Sequence, residues 1–197
     1  MARIKTDKDV TKKEVILNTA AGLFRQRGYK ASSMRDLAEK IGIEAASLYN
    51  HIRSKSELLY DICFSMAALY NEHLESVENS KSSSLKKIEE ILRFQIKQMI
   101  DNSDFVIVAD REWVHLDEAY ITSYQNMKHN YRKRMNHIIT KGIQDGEIKS
   151  EINVPSTIWL ILHAVNGIES WHRSKTKIPP NELEENMILI LISGMKK

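Results

Sequence analysis

Apolar residues recur every three to four positions along almost the whole chain, and the breaks in that rhythm coincide with capping residues, so the pattern predicts a succession of helices and no sheet. The first begins at Thr11, where T-K-K-E sets a capping hydroxyl three residues ahead of Glu14. Ile16, Ala20, Leu23 and Phe24 form its stripe, and Gly28 is placed as a left-handed stop. Ser33 opens a second helix by the same device, S-M-R-D, with Leu37, Ala38 and Ile41 inward. Gly42 can take the positive φ that ends it, and a third helix is expected from Ala45 to His51 with Leu48 on the core side. S-K-S-E at Ser54 to Glu57 starts a fourth, which runs through Leu58, Leu59, Ile62, Met66, Leu69 and Leu74.

"ENSKSSS", residues 78–84, is a polar, serine-rich break, and the joint of the molecule is expected there. Beyond it the pattern predicts helices over 85–100 and 105–116, then a long one with Tyr124, Met127, Tyr131, Met135, Ile138 and Gly142 on one face. "GIQDGEI" reads as a turn with two glycines. Pro155 suits the first turn of a helix carrying Trp159, Leu162, Val165 and Ile168, and Pro179-Pro180 precede the last helix, Glu182 to Met195. The fold class is therefore all-α: a helical head over 1–58 and a helical body over 59–197.

Composition agrees, with 42% hydrophobic and 28% charged residues and only 7 Gly and 3 Pro in 197. Charge adds a functional hint. Residues 1–58 hold 12 Lys/Arg against 7 Asp/Glu, whereas the remainder holds 17 against 19, so a basic head sits on a slightly acidic body. One cysteine, Cys63, cannot form an internal disulfide, and neither zinc spacing nor a cofactor motif is present, so no metal and no cofactor are expected. The longest apolar runs, "IWLILHAV" and "MILILI", fall far short of the roughly 20 residues of a membrane span, and the opening segment is charged where a leader would be apolar. A cytoplasmic protein without a membrane partner is the expectation.

Two short helices set across Gly42 make a helix-turn-helix, whose second helix lies in the DNA major groove while the first crosses the backbone. Its outer residues, Glu44, Ala45, Ala46, Ser47, Tyr49, Asn50 and His51, are mostly small or hydrogen-bonding, which permits close approach to bases. "ILNTAAGLFRQRGYKASSMRDLAEKIGIEAASLYNHIRSKSELL", residues 16–59, resembles the DNA-binding domain of the TetR family of transcriptional regulators without a gap. That resemblance implies that Ser33 and Arg35 reach a phosphate and a base edge, that Ala45, Ala46, Ser47 and Asn50 face the groove, and that Tyr49, His51 and Lys55 hold phosphates. Donor chemistry agrees: Arg suits guanine, Asn suits adenine, alanine methyls suit thymine methyls, and Tyr, His and Lys suit phosphate oxygens. Tyr49 is open to a second role as a packing residue. Glu44 departs from the capping Ser or Thr of many members and is expected to cap the third helix itself; Ile52 replaces a common Phe and stays apolar.

The resemblance further implies that the body binds a small effector and pairs with a second copy, and that the effector alters the spacing of two heads on a palindromic operator. "TIWLILHAVNGIESW" and "ENMILILISGM" are apolar on more than one face, as helices of a homodimer interface would be. Polar and aromatic groups among apolar neighbours mark the candidate effector site: Arg111, Trp113, His115, Tyr124, Tyr131, Asn166, Trp171 and His172, with Arg111 and His115 one turn apart on a helix. Arg111 would pair with an anionic ligand or, the more ordinary outcome, with Asp110, Glu112 or Asp117. "ADREWVHLDEAY" and "NGIESWHRSKTKIPPNEL" resemble members that sense acyl-CoA thioesters, and "YRKRMNH", residues 131–137, would meet phosphates or be a solvated basic face. The function expected is a ligand-responsive repressor and not an enzyme. An architectural DNA binder without an effector, or an all-α enzyme acting on a thioester, are the alternatives.

Overall fold

The computed structural model describes residues 11–174 and 178–197, with the side chains of His172 and Arg173 outside that description. Among the described residues ten helices follow one another: α1 (Lys12–Arg27), α2 (Met34–Ile41), α3 (Ala45–Leu48), α4 (Lys55–Asn79), α5 (Ser84–Asp101), α6 (Ser103–Arg111), α7 (Glu118–Gln144), α8 (Val154–Asn166), α9 (Ile168–Arg173) and α10 (Pro180–Met195), with a 3-10 turn at Trp113–His115. No helix among the described residues is long and apolar enough to cross a membrane. The chain groups into two compact units, Met1–Ala67 with Asp104–Gln125, and Ala68–Ser103 with Asn126–Lys197. Both α4 and α7 run from one unit into the other.

In the first unit, α1 packs on α2 and α2 on α3 around fully buried Ile16, Phe24, Leu37, Leu48, Ile52 and Leu58. The helix starts follow the sequence closely. Thr11 and Ser33 are N-caps in reciprocal capping boxes with Glu14 and Asp36. At α4 the box is displaced by one residue: Glu57 N–H donates to the Ser54 hydroxyl, while the Glu57 carboxylate accepts from Arg53 N–H at 2.7 Å. Gly42 takes the left-handed conformation, φ 80 and ψ 34, and Ile43 N–H closes back on Ala38 C=O at 3.0 Å. Gly28 has positive φ too, but with ψ 153 it lies in an extended region open essentially to glycine alone, not the left-handed helical one expected.

In the second unit α5 is the central helix, packed against α8, α9 and α10, with Ile88, Ile91, Leu92, Ile96 and Met99 buried. Arg93 on its outer side donates to Glu184 and Glu185 of α10 at 2.9 and 2.6 Å, which tethers the last helix to it. Leu69 of α4, expected in the stripe, is 37% exposed. The two-glycine turn is a turn at one glycine only. Gly142 is inside α7 and buried, with room for no side chain, and the turn falls at Gly146, whose φ is +75.

Gly142 therefore separates two opposed effects. Alanine gains about 1 kcal/mol of helix propensity over glycine, but its Cβ would lie 2.6 Å from Ile148 Cδ1 and 2.8 Å from Ser84 Cβ. Overpacking of that kind costs roughly 1–3 kcal/mol, so the clash wins and Gly142→Ala should lower the urea midpoint by about 1 kcal/mol of stability. Gly146→Ala, which meets nothing within 4 Å, should lose a similar amount through backbone strain alone; an unchanged midpoint for Gly142→Ala would show that Ile148 and α5 yield freely.

Candidate nucleic-acid interface and effector domain

The geometry of the helix-turn-helix is set by what its shortest helix buries. α3 is a single turn of four residues, shorter than the expected Ala45–His51, and the backbone continues as hydrogen-bonded turns, with His51 N–H and Ile52 N–H both donating to Leu48 C=O. Leu48 faces inward and is fully buried, which turns Ala46, Tyr49, Asn50 and His51 to solvent and leaves Ala45 and Ser47 at the rim. Tyr49 exposes 54% of its surface, so it is no packing residue between helices. Arg35, near the start of α2, is exposed as well. The surface thus carries guanidinium, amide, phenol, imidazole and methyl groups together, a set able to read base edges and hold phosphates.

One residue, Glu44, departs from its expected role, and the polar atoms of Ser33 and Lys55 are engaged within the protein. Glu44 occupies the N-cap position of α3, yet its carboxylate makes no cap hydrogen bond; the turn is closed by its backbone, with Ser47 N–H on Glu44 C=O at 2.9 Å. The physical reason is side-chain length: Ser, Thr, Asp and Asn cap because their short side chains hold an oxygen against the N2 or N3 N–H, and glutamate is one methylene too long for that geometry. The Ser33 hydroxyl accepts from Asp36 N–H as the cap, and it donates, as Ser33 N–H does, to the Asp36 carboxylate; these two donors hold the Asp36 carboxyl below its usual range, with Arg27 at 3.1 Å adding to the effect. Lys55 is half-buried. Its Nζ donates to the backbone oxygens of Tyr29 and Ser32 at 3.0 and 2.8 Å and lies 4.2 Å from the centre of the Tyr29 ring.

Lys55 is part of a knot that sequence reading missed. Tyr29 N–H donates to Glu112 Oε2 at 3.1 Å, the Tyr29 ring stacks on His115 at 5.8 Å, and Arg25 pairs with Asp104 at 2.7 Å. Residues 104–115 are therefore bound to the loop that feeds α2. The only sequence sign was a run of charges, Asp110 to Glu112, with no indication of their partner.

The candidate effector residues divide between the two units. Arg111, His115 and Tyr124 belong to the first, Asn166 and Trp171 to the second, and the side chain of His172 lies outside the described ones. Arg111 and His115 do not share a helical face: α6 ends at Arg111, and His115 is in the separate 3-10 turn, beside Glu112 at 3.7 Å. Arg111 is exposed. The Tyr124 phenol donates to Ala109 C=O at 2.8 Å and the Trp171 indole to Ile178 C=O at 3.0 Å, so both polar tips serve the fold. Asn166 is half-buried at the end of α8. In "YRKRMNH", Tyr131 is buried, Arg134 pairs with Glu78 and Arg132 lies over the Trp159 ring at 5.8 Å.

Comparison with known proteins accounts for this arrangement. Residues 16–62 match the model of bacterial regulatory proteins of the tetR family, and residues 81–195 match that of the tetracyclin repressor-like C-terminal domain. The HTH-type transcriptional repressor KstR2 of Mycobacterium tuberculosis is 21% identical over 183 residues, 92% of each chain. The solved structure of that ketosteroid transcriptional regulator superposes with a TM-score of 0.88 at 19% identity, over 99% of this chain and 100% of that one. The fatty acid metabolism regulator protein of Bacillus subtilis is 19% identical over 91% of this chain and 93% of its own. AibR, solved with isovaleryl coenzyme A and operator DNA, has a TM-score of 0.79 at 23% identity, covering 92% of this chain and 98% of that one. With both models matched in order, one of them over more than half of its length, the chain belongs to the TetR family of DNA-binding transcriptional regulators.

Proposed function

We propose that the protein is a homodimeric repressor, acting in the cytoplasm, that leaves a palindromic operator when its helical body binds an acyl-CoA. The observation that carries the DNA half is the solvent-facing set of Arg35, Ala46, Tyr49, Asn50 and His51 around buried Leu48, with Ala45 and Ser47 beside them. Arg35 and Asn50 read bases; Tyr49 and His51 hold phosphates. Ser33 and Lys55 act by shaping the loop and the start of α2, since their polar atoms are committed there.

Pairing is supported by apolar surface that a lone chain would leave in water. Leu160 on α8 and Leu189 and Ile190 on α10 are 60%, 62% and 70% exposed, beside an exposed Trp159. An acyl-CoA effector is supported by the relatives, whose names speak of ketosteroid and fatty-acid regulation and, for AibR, of isovaleryl coenzyme A. Coupling needs little energy: a tenfold loss of operator affinity is about 1.4 kcal/mol. The effector must, however, prefer one arrangement of the heads, because equal affinity for both shifts nothing.

Four measurements test this reading. Acyl-CoAs of graded chain length, titrated against a labelled operator fragment, should release it where free CoA does not; no release by any of them at saturating concentration removes the effector class. Ile190→Lys would place a charge in the paired surface and should yield a monomer in sedimentation equilibrium with operator affinity reduced at least about a hundredfold, because each head then binds one half-site alone. Arg35→Ala should cost about 1–3 kcal/mol at one base position of the operator. Lys55→Ala, by contrast, should weaken all DNA with the salt dependence nearly unchanged, whereas a slope reduced by about one unit would mean that Nζ leaves the two carbonyls for a phosphate.

A further inference from the structure

The interior of the second unit contains a polar pair that its own hydrogen bonds do not complete. Gln95 lies on α5 among Ile88, Ile91, Leu92, Ile96 and Met99 and is 1% exposed. Its Nε2 donates to the phenol oxygen of Tyr131 on α7 at 2.7 Å, and Tyr131 is buried too. The other end of the amide, Oε1, is buried and accepts nothing among the described residues, and the Tyr131 proton finds no acceptor among them. Turning the amide over only exchanges the orphan, since Tyr131 then donates to Oε1 and the Nε2 protons are left over.

The surroundings are flat and apolar. Tyr70 of α4 is edge-on to Phe94 at 5.5 Å and to Tyr131 at 6.0 Å, and His73 stacks on Phe94 at 3.8 Å with its Nδ1 buried and unpartnered. Burial lowers the His73 pKa, which keeps the imidazole neutral near pH 7. The guanidinium of Arg134, three residues beyond Tyr131, is engaged by Glu78, so a charged ligand group would compete with an existing pair. A buried water typically makes about three hydrogen bonds; here it would find Oε1 and the phenol, with ring faces nearby. A hydroxyl on an apolar skeleton matches better, because one oxygen can accept from the phenol and donate to the amide while its carbon frame lies against the rings.

We propose that Gln95 and Tyr131 recognise a neutral hydroxyl on an otherwise apolar effector, with Tyr70, His73 and Phe94 beside the carbon frame. This rests on the effector reading above and deepens it: among acyl-CoAs, those with a hydroxylated acyl part are preferred to saturated ones.

The test uses two fragments that need no CoA. Crystals of the full-length protein are soaked separately with phenol and toluene, and both are titrated into wild type, Gln95→Leu and Tyr131→Phe, each checked for an intact melting transition. Phenol seated with its oxygen between Gln95 and Tyr131, bound about tenfold or more tighter than toluene, with the preference lost in both variants, supports the assignment. Water alone at the amide after the phenol soak, equal affinity for the two fragments, or a preference that survives both substitutions overturns it. Gln95→Leu replaces a polar by an apolar side chain on an apolar stripe, so folding should be kept; if it is not, Tyr131→Phe decides alone. Should phenol bind as described while no acyl-CoA releases the operator, the acyl-CoA reading falls and the hydroxyl site stands.

Discussion

Burial of Leu48 is the constraint on which the DNA-facing surface depends. A helix of four residues has no stability of its own, because nucleation fixes several dihedrals for one hydrogen bond. What holds it is a leucine side chain taken fully out of water, about 1.5–3 kcal/mol, together with buried Ile43 before it and Ile52 after it. Since successive helical residues turn by about 100°, an inward Leu48 leaves Ala46, Tyr49 and Asn50 no direction but outward. Gly42 contributes the other half of the geometry, as its left-handed backbone lets α2 end and Ile43 turn at once toward the same core.

The loop between α1 and α2 has the opposite problem. Its backbone groups at Tyr29 and Ser32 have no helix to satisfy them, and buried or half-buried peptide groups need partners. Charged side chains from distant segments supply them: Lys55 from the start of α4 donates to both carbonyls, and Glu112 accepts from Tyr29 N–H. The segment 104–125 is thereby part of the same compact unit as the DNA-binding helices. A region of the chain that the sequence pattern assigned to the body is thus in hydrogen-bond contact with the element that positions α2, and changes in one would be felt by the other through named atoms.

Local features were legible because their causes are local. Thr11–Glu14 and Ser33–Asp36 are capping boxes whose partners are three residues apart, and the left-handed turn at Gly42 follows from glycine's lack of a Cβ. The failures share a different character. Glu44 had the right position and the wrong chemistry for a cap; Gly142 looked like a turn residue when it is a packing residue, small because Ile148 and Ser84 come against it; Arg111 and His115 were separated by a helix end that nothing in their spacing announced. Gln95 left a faint trace, one polar residue on an otherwise apolar stripe, whose meaning depends on a tyrosine 36 residues away.

By itself the sequence determined that this chain is all-α, where most of its helices begin, that its head is a helix-turn-helix of the TetR type and which residues of that head are candidates for DNA. Periodicity, caps and a dense motif are all written within a few turns of helix, where the covalent chain guarantees proximity. Only the tertiary structure decided which candidates are already engaged within the protein: Lys55 on two carbonyls, and the effector candidates Tyr124 and Trp171 on backbone oxygens. A side chain's chemistry is a property of its type, but its availability is a property of what surrounds it, and those partners lie 7 to 26 residues away in the chain, where only packing brings them within hydrogen-bond distance.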